Sequence, residues 1–476
     1  MQSTKIILAI QKKLRNLLET FVSVSHLATL IHQNGGRALL VGGAVRDLLL
    51  DREVKDVDIE LHGIAVDAVE PLLRQIGFVD YVGKSFGIFK VSPADEPSID
   101  IALPRSDSGG RKPQVAVDPM MSLHDAFRRR DLTINAMGMD LYTGELIDLF
   151  GGYQDLQNKV LRAVDAEFFV QDPLRFYRVM QFVGRFEMEP DEQLNALCAT
   201  MDVSTVSIER IEKEFEKLLL QSRAPSRGIR WLHRIGRLHE LFPELGNLIG
   251  VVQSARWHPE GDVFEHSMQA LDAAAAFTYS DADQKLTIMY AALCHDLGKV
   301  ETTVIDGEFV TSYGHESVGA VLTKQLLKRI TGKKNLIIVV VKLVACHMQP
   351  LQFVALKSGP AAYKRLARKL APHATIAMLA QVARADILGR NPHKGTPLTG
   401  QTPEVDMFIQ KSAELQILDK VELPVLLGRD LMPEVAPGPR LGELVKQAYE
   451  IQLNEGIVDK QELKRRVLGK KDAEKK

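Results

Sequence analysis

The stretch Leu40–Leu61, LVGGAVRDLLLDREVKDVDIEL, is compatible with few folds. An apolar run, Leu39-Leu40-Val41, stops at Gly42-Gly43. A short helical pattern follows, and a second apolar run carries Asp56 and Asp58. This order predicts strand, tight turn, helix, strand. Paired glycines reach positive φ and let a phosphate approach the backbone. On a strand, side chains two residues apart share a face, so Asp56 and Asp58 point the same way. Two parallel carboxylates repel unless a cation lies between them, and the usual cation is a divalent metal with hard oxygen ligands, often Mg2+ holding phosphates. Taken singly, a glycine pair marks a turn and a DxD marks a solvated strand end. In this order they imply a site for a nucleoside triphosphate.

A chain of 476 residues has room for roughly two to four domains. The formal net charge is -1, so binding to nucleic acid must use local basic patches rather than a global field. Candidates are Arg128-Arg129-Arg130, the segment with Arg175, Arg178 and Arg185, and the tail with Lys464-Arg465-Arg466 and Lys470-Lys471. Each also reads as an ordinary solvated face. Cys198, Cys294 and Cys346 are odd in number and far apart, which argues against a disulfide framework and for a reducing compartment. The N-terminus carries no signal-peptide pattern, and the longest apolar run, Leu336–Ala345, is too short for a membrane span and is broken by Lys342. The expectation is a cytoplasmic protein that needs no membrane.

Residues 1–34 read as helical, with Ile6, Ile7, Ile10, Leu14, Leu17, Leu18 and Phe21 at helical spacing. Residues 35–154 alternate strand and helix patterns: helices at Val66–Gln75 and Ser122–Arg129, strands at Gly87–Val91, Ile99–Ile101, Leu132–Leu141 and Glu145–Leu149, and a mobile loop at Ser106–Pro113. This predicts an α+β domain around one mixed sheet. Residues 155–255 are mostly helical, including Pro173–Phe186 and Ile208–Leu220. Residues 256–400 are helical and rich in histidine, and 401–476 form a tail.

RRDLTINAM, Arg129–Met137, follows the DxD sheet. Arg129 and Arg130 offer forked donors suited to phosphates, and Asp131 and Asn135 can reach a ribose hydroxyl; Asn135 reads equally as a strand-end hydrogen bond. In QDPLRFYR, Gln171–Arg178, Asp172 before Pro173 is a good helix cap. Arg175 stands at i+3 from Asp172, so both can face one spot. An acceptor beside donors matches the pairing edges of cytosine and adenine, each an exocyclic amine next to a bare ring nitrogen, and rejects uracil and guanine.

LVGGAVRD, DVDIE, RRDLTINAM, DPLRxxR and ERIEKEFEKLL (Glu209–Leu219), in this order, resemble the class II CCA-adding tRNA nucleotidyltransferases and the related bacterial poly(A) polymerases. The resemblance covers roughly residues 37–250. It implies a nucleotidyltransferase head followed by helical neck, body and tail, with tRNA, ATP and CTP as partners. It implies that Asp56 and Asp58 hold Mg2+, that Gly42, Gly43, Arg46, Arg129, Arg130, Asp131, Asn135 and Arg178 belong to the nucleotide site, and that Asp172 and Arg175 select the base. The loop after Arg105 is implied in the switch from C to A. Asp100 is a further candidate carboxylate. Gln171 departs from the family's usual Glu and leaves the local support of the Asp172–Arg175 pair open. Two metals roughly 3.5–4 Å apart would activate the RNA 3′ hydroxyl and stabilise the departing pyrophosphate.

A second set, His266, His295-Asp296, His315, His347 and Asp386, resembles the HD-domain metal-dependent phosphohydrolases and the HD region appended to many CCA-adding enzymes. Singly, such histidines are more often core residues. As a set, imidazole and carboxylate ligands suit Ni, Mn, Fe or Zn, and the resemblance implies phosphatase or 2′,3′-cyclic phosphodiesterase activity at RNA ends, the alternative being a degenerate, RNA-binding HD fold. GRDLMPEVAPGPRLGELVKQ, Gly428–Gln447, resembles the segment that follows the HD region in those enzymes, where it packs the tail and meets tRNA. The expectation is a CCA-adding enzyme with a mixed-sheet head, a mostly helical neck and body, and an all-helical HD domain and tail. A poly(A) polymerase, an enzyme restricted to CC or A, an HD hydrolase with an inactive head and a non-catalytic RNA-binding protein stay open, as does the choice between monomer and homodimer.

Overall fold

The computed structural model describes residues 2–54, 56–83, 87–107 and 115–469. They form two compact units, residues 1–206 and 207–476.

The first unit is built on a seven-stranded sheet. Its strands are β1 (Arg37–Val41), β2 (Asp58–His62), β3 (Phe78–Gly83), β4 (Ile88–Ser92), β5 (Ile99–Ala102), β8 (Met137–Asp140) and β9 (Leu146–Asp148), while β6 (Arg105–Asp107) and β7 (Val115–Val117) form a separate hairpin. The order is β3-β4-β5-β2-β1-β8-β9. Within it β2 and β5 run parallel, with Asp58 opposite Asp100, and the other neighbours run antiparallel. Alternation explains the face each residue takes. Val57, Ile59, Leu61, Ile99 and Ile101 are buried, whereas Asp56, Asp58 and Asp100 are exposed.

The sheet departs from the sequence reading in four places. β3 lies where no strand was expected, because its alternating FVDYVG lacks a continuous apolar run. Asp56 stands in a bend just before β2. The strand expected over Leu132–Leu141 opens with a 3-10 turn, Thr133–Asn135, before β8. Thr133 and Asn135 turn inward to hydrogen-bond Asp155 and Asp131, which breaks the alternation. The loop expected at Ser106–Pro113 begins as β6, and its remaining residues lie outside the described ones, as do Lys470 and Lys471.

Beyond the sheet the first unit is helical, at Gly152–Asn158, Ala166–Val170, Leu174–Phe186 and Glu192–Thr200, apart from the two-residue strands β10 (Val160–Leu161) and β11 (Glu189–Pro190). Leu174–Phe186 buries Phe176, Tyr177, Val179, Met180, Phe182, Val183 and Phe186, leaving Arg175, Arg178 and Arg185 at its margin.

The second unit is helical apart from one hairpin, β12 (Val304–Asp306) with β13 (Phe309–Thr311). Two helices form its centre. Val263–Ala275 and the last nine residues of Ala282–Cys294 are buried almost all round, the mark of a core helix. The apolar stretch Lys334–Ala355 has the length and composition of a membrane span. It is longer than the run counted in the sequence because the pattern resumes past Lys342. It is divided into two helices, Lys334–Val344 and Gln349–Ala355, with His347 in the turn between them. The C-terminal residues pack a separate small core of Leu426, Leu431, Leu441, Leu444, Ala448, Leu463 and Val467.

Gly298 sets a close approach inside the second unit. A Cβ there would lie 2.0 Å from the His315 carbonyl oxygen and 2.6 Å from the Gly319 nitrogen. Both are backbone atoms, so Gly298→Ala forces helix His315–Ile330 to shift. The expected cost is about 1–3 kcal/mol, the range for overpacking a tight site, read as a lower denaturation midpoint for this unit. An unchanged midpoint would show that the helix moves freely.

Candidate functional site

The first candidate site lies at the start of β2. Parallel pairing puts Asp58 and Asp100 side by side at the same strand end, with Asp56 two residues before Asp58. Partial loss of water around its carboxyl and then the Asp100 charge push the Asp58 pKa above its ordinary range, against the pull of Arg130. Carboxylates held this way favour a cation. Continuing the alternation, Glu60 follows on the same face. Its carboxylate pairs with Arg130 Nη2 at 3.1 Å and with His62 Nε2 at 2.8 Å. The turn after β1 closes the site. Gly42 has φ +68°, which only glycine adopts without strain. A Cβ there would also stand 3.0 Å from Arg130 Nη1. Glycine is therefore needed for the turn and for the approach of that guanidinium.

Behind this turn lies a buried polar chain. Arg46 Nη1 donates to Asn135 Oδ1 at 2.5 Å, Asn135 Nδ2 donates to Asp131 Oδ1 at 3.0 Å, and Asp131 Oδ2 pairs with Arg178 Nη2 at 2.9 Å. The Arg46 guanidinium lies 4.5 Å from the centre of the Phe186 ring, a cation–π contact. Burial lowers the Arg46 pKa. Burial alone would raise the Asp131 pKa, but Arg178 and the Asn135 hydrogen bond hold it below the ordinary range. Asp131 and Asn135, expected at a ribose, thus face the protein's own arginines.

Asp172 Oδ1 accepts from Leu174 N at 3.2 Å just before the helix, where Pro173 rather than Asp172 takes the cap position. Arg175 donates from Nη1 to the Phe168 carbonyl and from Nη2 to the Arg129 carbonyl, each at 2.6 Å. Two carbonyls, rather than Asp172 alone, fix the plane of this guanidinium. The Arg129 guanidinium lies over the Phe168 ring.

The second candidate site is buried in the histidine-rich unit. His266 comes from helix Val263–Ala275, His295 and Asp296 from the end of Ala282–Cys294, and His315 from the first position of its helix. His347 comes from a turn and Asp386 from Ile376–Leu388. Their atoms form two triads, His266/His295/Asp386 and Asp296/His315/His347. Asp296 reaches toward both. Its Oδ2 is 3.3 Å from His295 Nε2, and its Oδ1 is 3.3 Å from His315 Nε2 and 3.7 Å from His347 Nε2.

The outer ring nitrogens fix the tautomers. Nδ1 of His295, His315 and His347 lies 2.7–2.8 Å from the carbonyls of Ala292, Ser312 and Val344, respectively. A carbonyl only accepts, so Nδ1 holds the proton and Nε2 turns a lone pair inward. His266 Nδ1 lies 2.7 Å from the Glu260 carboxylate instead. Inside, His266 Nε2 and His295 Nε2 are 3.0 Å apart, and those of His315 and His347 3.2 Å. Facing lone pairs need a proton or a metal ion between them. Asp296 is buried, and its Oδ2 faces Lys299 Nζ as well as His295 Nε2. Imidazole nitrogens with carboxylate oxygens, backed by fixed outer hydrogen bonds, are the donor set of a transition-metal centre. The residues therefore fit such an ion.

Sequence reasoning missed Glu60, Glu260, Lys299 and Arg390. Lys299 Nζ lies 2.7 Å from Asp296 Oδ2, and Arg390 Nη2 2.8 Å from Asp386 Oδ1. Arg390 was legible as the i+4 partner of Asp386 on one helix. Glu60 continues the DxD alternation. Glu260 carried no local signal.

Three family models match: Poly A polymerase head domain over residues 38–162, Probable RNA and SrmB-binding site of polymerase A over 186–248, and HD domain over 263–387. A multifunctional CCA protein of Xylella fastidiosa is 32% identical over 427 residues, covering 87% of this chain and 95% of the relative. One from Pasteurella multocida is 38% identical over 300 residues, covering 61% and 69%. The fold is similar to that of the Bacillus stearothermophilus CCA-adding enzyme in complex with CTP, with TM-score 0.63, 22% identity, and 95% and 99% of the two chains covered. It is also similar to that of the Thermotoga maritima CCA-adding enzyme complexed with tRNA, with TM-score 0.58, 21% identity and 94% of each chain covered.

The Arg46–Asn135–Asp131–Arg178 chain makes a stability prediction. Asn135→Ala removes the amide between Arg46 Nη1 and Asp131 Oδ1, leaving Arg46 only Asp47 and Asp131 only Leu132 N and Arg178 as polar partners among the described residues. The expected cost is about 1–3 kcal/mol in urea unfolding of the first unit. A cost near zero would mean that water replaces the amide.

Proposed function

The chain belongs to the family of multifunctional CCA proteins, and from that premise we propose that it is a tRNA nucleotidyltransferase. It adds or repairs the 3′-terminal CCA from CTP and ATP and carries a metal-dependent phosphohydrolase in the same chain. The observation that carries the transferase reading is the in-register pair Asp58–Asp100 beside the Gly42 turn and Arg130.

Asp56, Asp58 and Asp100 are the residues that would hold Mg2+, which when bound supplies Lewis-acid stabilisation of the phosphoryl oxygens. The Gly42-Gly43 turn lets the triphosphate approach the backbone. Arg130, oriented by Glu60, and Arg129 offset the triphosphate charge. Asp131 and Asn135 hold Arg46 and Arg178 at the wall of the nucleotide site. Asp172 accepts from the exocyclic amine of cytosine or adenine and Arg175 donates to the neighbouring ring nitrogen. Its plane is already set by the carbonyls of Phe168 and Arg129, so little ordering is left for binding to provide.

In the second unit, His266, His295, Asp296, His315, His347 and Asp386 would hold Ni, Mn, Fe or Zn, which supplies an activated water for hydrolysis. The substrate is a phosphate or 2′,3′-cyclic phosphate at an RNA end. The reading carries a cytoplasmic location and action as a monomer or homodimer.

The test uses tRNA transcripts ending before the CCA, after C and after CC, offered CTP, ATP or both with Mg2+. Two C additions and one A, then a stop, are expected. Long A tails would make the enzyme a poly(A) polymerase, and addition of only CC or only A would make it a specialised enzyme. Asp58→Ala is expected to lower incorporation at least about 100- to 1000-fold, the scale for losing transition-state electrostatics, and to spare cyclic phosphate hydrolysis. Asp296→Ala is expected to do the reverse. Normal CMP incorporation by Asp58→Ala would sink the transferase assignment.

A further inference from the structure

Gln253 lies in the loop before helix Val263–Ala275. The loop is tied to that helix by Gly250 N to Asp262 Oδ2 at 2.8 Å and Val263 N to the Val251 carbonyl at 3.0 Å. Its side chain is 8% exposed. Lys299, also 8% exposed, donates from Nζ to Gln253 Oε1 at 2.7 Å and stands 2.7 Å from Asp296 Oδ2. An ammonium can only donate, so this contact fixes which end of the Gln253 amide is oxygen. The other end, Nε2, is buried with no hydrogen-bond partner among the described residues.

A buried amide donor without a partner is destabilising, because it has given up its water for nothing. It persists beside an ammonium that has three N–H groups, one given to Gln253 and one face turned to Asp296. Donors are therefore left over next to the histidine–aspartate centre, with no acceptor for Gln253 Nε2 among the described residues. Charge points the same way. Glu260, Asp296 and Asp386 are set against Lys299 and Arg390, so a divalent ion in each triad would carry the cavity well past neutrality. An anion is the missing member. Arg390 does not supply the grip, because its Nε and Nη2 both turn to Asp386 Oδ1, at 3.2 and 2.8 Å.

We propose that Gln253 Nε2 and Lys299 Nζ form a clamp for a non-bridging phosphoryl oxygen at this centre. The ligand class is a phosphomonoester or cyclic phosphodiester. The inference rests on the phosphohydrolase reading of the same site and adds the residues that hold its substrate.

The test uses the full chain loaded with Mn2+, its metal content measured by mass spectrometry and inorganic phosphate binding by calorimetry. Gln253→Glu keeps the shape and the acceptor for Lys299 but replaces the donor with a negative charge. Gln253→Leu removes both polar ends. Both variants are expected to keep full metal content and to bind phosphate at least about tenfold more weakly, the scale of one hydrogen bond to a charged group. Gln253→Glu should be the weaker, and KM for a 2′,3′-cyclic phosphate end should rise in parallel. Phosphate affinity within twofold of the parent in Gln253→Glu would overturn the clamp. Loss of metal from either variant would make Gln253 a support of Asp296 and would overturn it too. If the metal-loaded parent neither hydrolyses the cyclic phosphate nor binds phosphate, the phosphohydrolase reading itself fails. A parent that hydrolyses it while the variants keep their affinity removes the clamp alone.

Discussion

Groups that repel one another are held together at both sites, and much of each unit serves to hold them. In the first unit the constraint is the parallel pairing of β2 with β5. Parallel neighbours present the same strand end, so Asp58 and Asp100 fall side by side. Antiparallel pairing would leave the register free to put an apolar residue opposite Asp58. A parallel neighbour cannot be reached through a tight hairpin. The chain therefore crosses from β2 through a helix, Val66–Leu73, and the β3–β4 pair before it returns as β5. Asp58 remains above its ordinary carboxyl range because the surrounding protein strips part of the water from its carboxyl and because of this neighbour, which is a standing preference for a cation.

In the second unit the repelling groups are imidazole lone pairs, and the means of holding them is different. Three of the four rings are pinned through Nδ1 to a carbonyl three residues earlier in the chain, at or next to a helix end. Carbonyls in the last turn of a helix have no partner within it. For His295 and His347, a histidine just after the helix satisfies such a carbonyl and fixes the ring in one step, whereas His315, at the start of its helix, uses the carbonyl of Ser312 in the preceding loop. His266 lies inside a helix, where the carbonyls are already bonded, and it takes a carboxylate, Glu260, in their place. That difference has an electrostatic consequence. Burial lowers the His266 pKa, but Asp386 and Glu260 outweigh it and push it up to about 8, whereas His347, with a carbonyl behind it and His295 beside it, is pushed down to about 3 by burial.

What the sequence made legible follows from the range of each interaction. The Gly42-Gly43 turn, the DxD and the start of the helix after Asp172-Pro173 are local, and spacing alone indicates them. The single set of histidines and aspartates could be named as ligands, but not divided into two triads, because that division depends on how five elements converge. Asp131 and Asn135 look like ligand-binding residues in the string RRDLTINAM, yet they face inward, because Arg46 and Arg178 arrive from elements far away in sequence. β3 was missed because a half-buried strand with Asp80 in its middle carries little apolar signal. Glu260 was missed because a buried acid before a helix looks like any loop acid until its histidine is known.

The two sites also differ in how they choose a metal. At the first, exposed oxygens at a strand end can only offer hard ligands and leave coordination positions to water and phosphate, which suits an ion that gives up its water reluctantly. At the second, nitrogen donors are buried and their outer hydrogens are fixed, which favours metals later in the divalent series. Raw affinity would let those later metals occupy the first site as well. Exposure opposes this, because an open carboxylate site exchanges with the abundant ion, while a buried imidazole site retains the scarce one. Burial and donor type would therefore keep two metal chemistries apart in one chain.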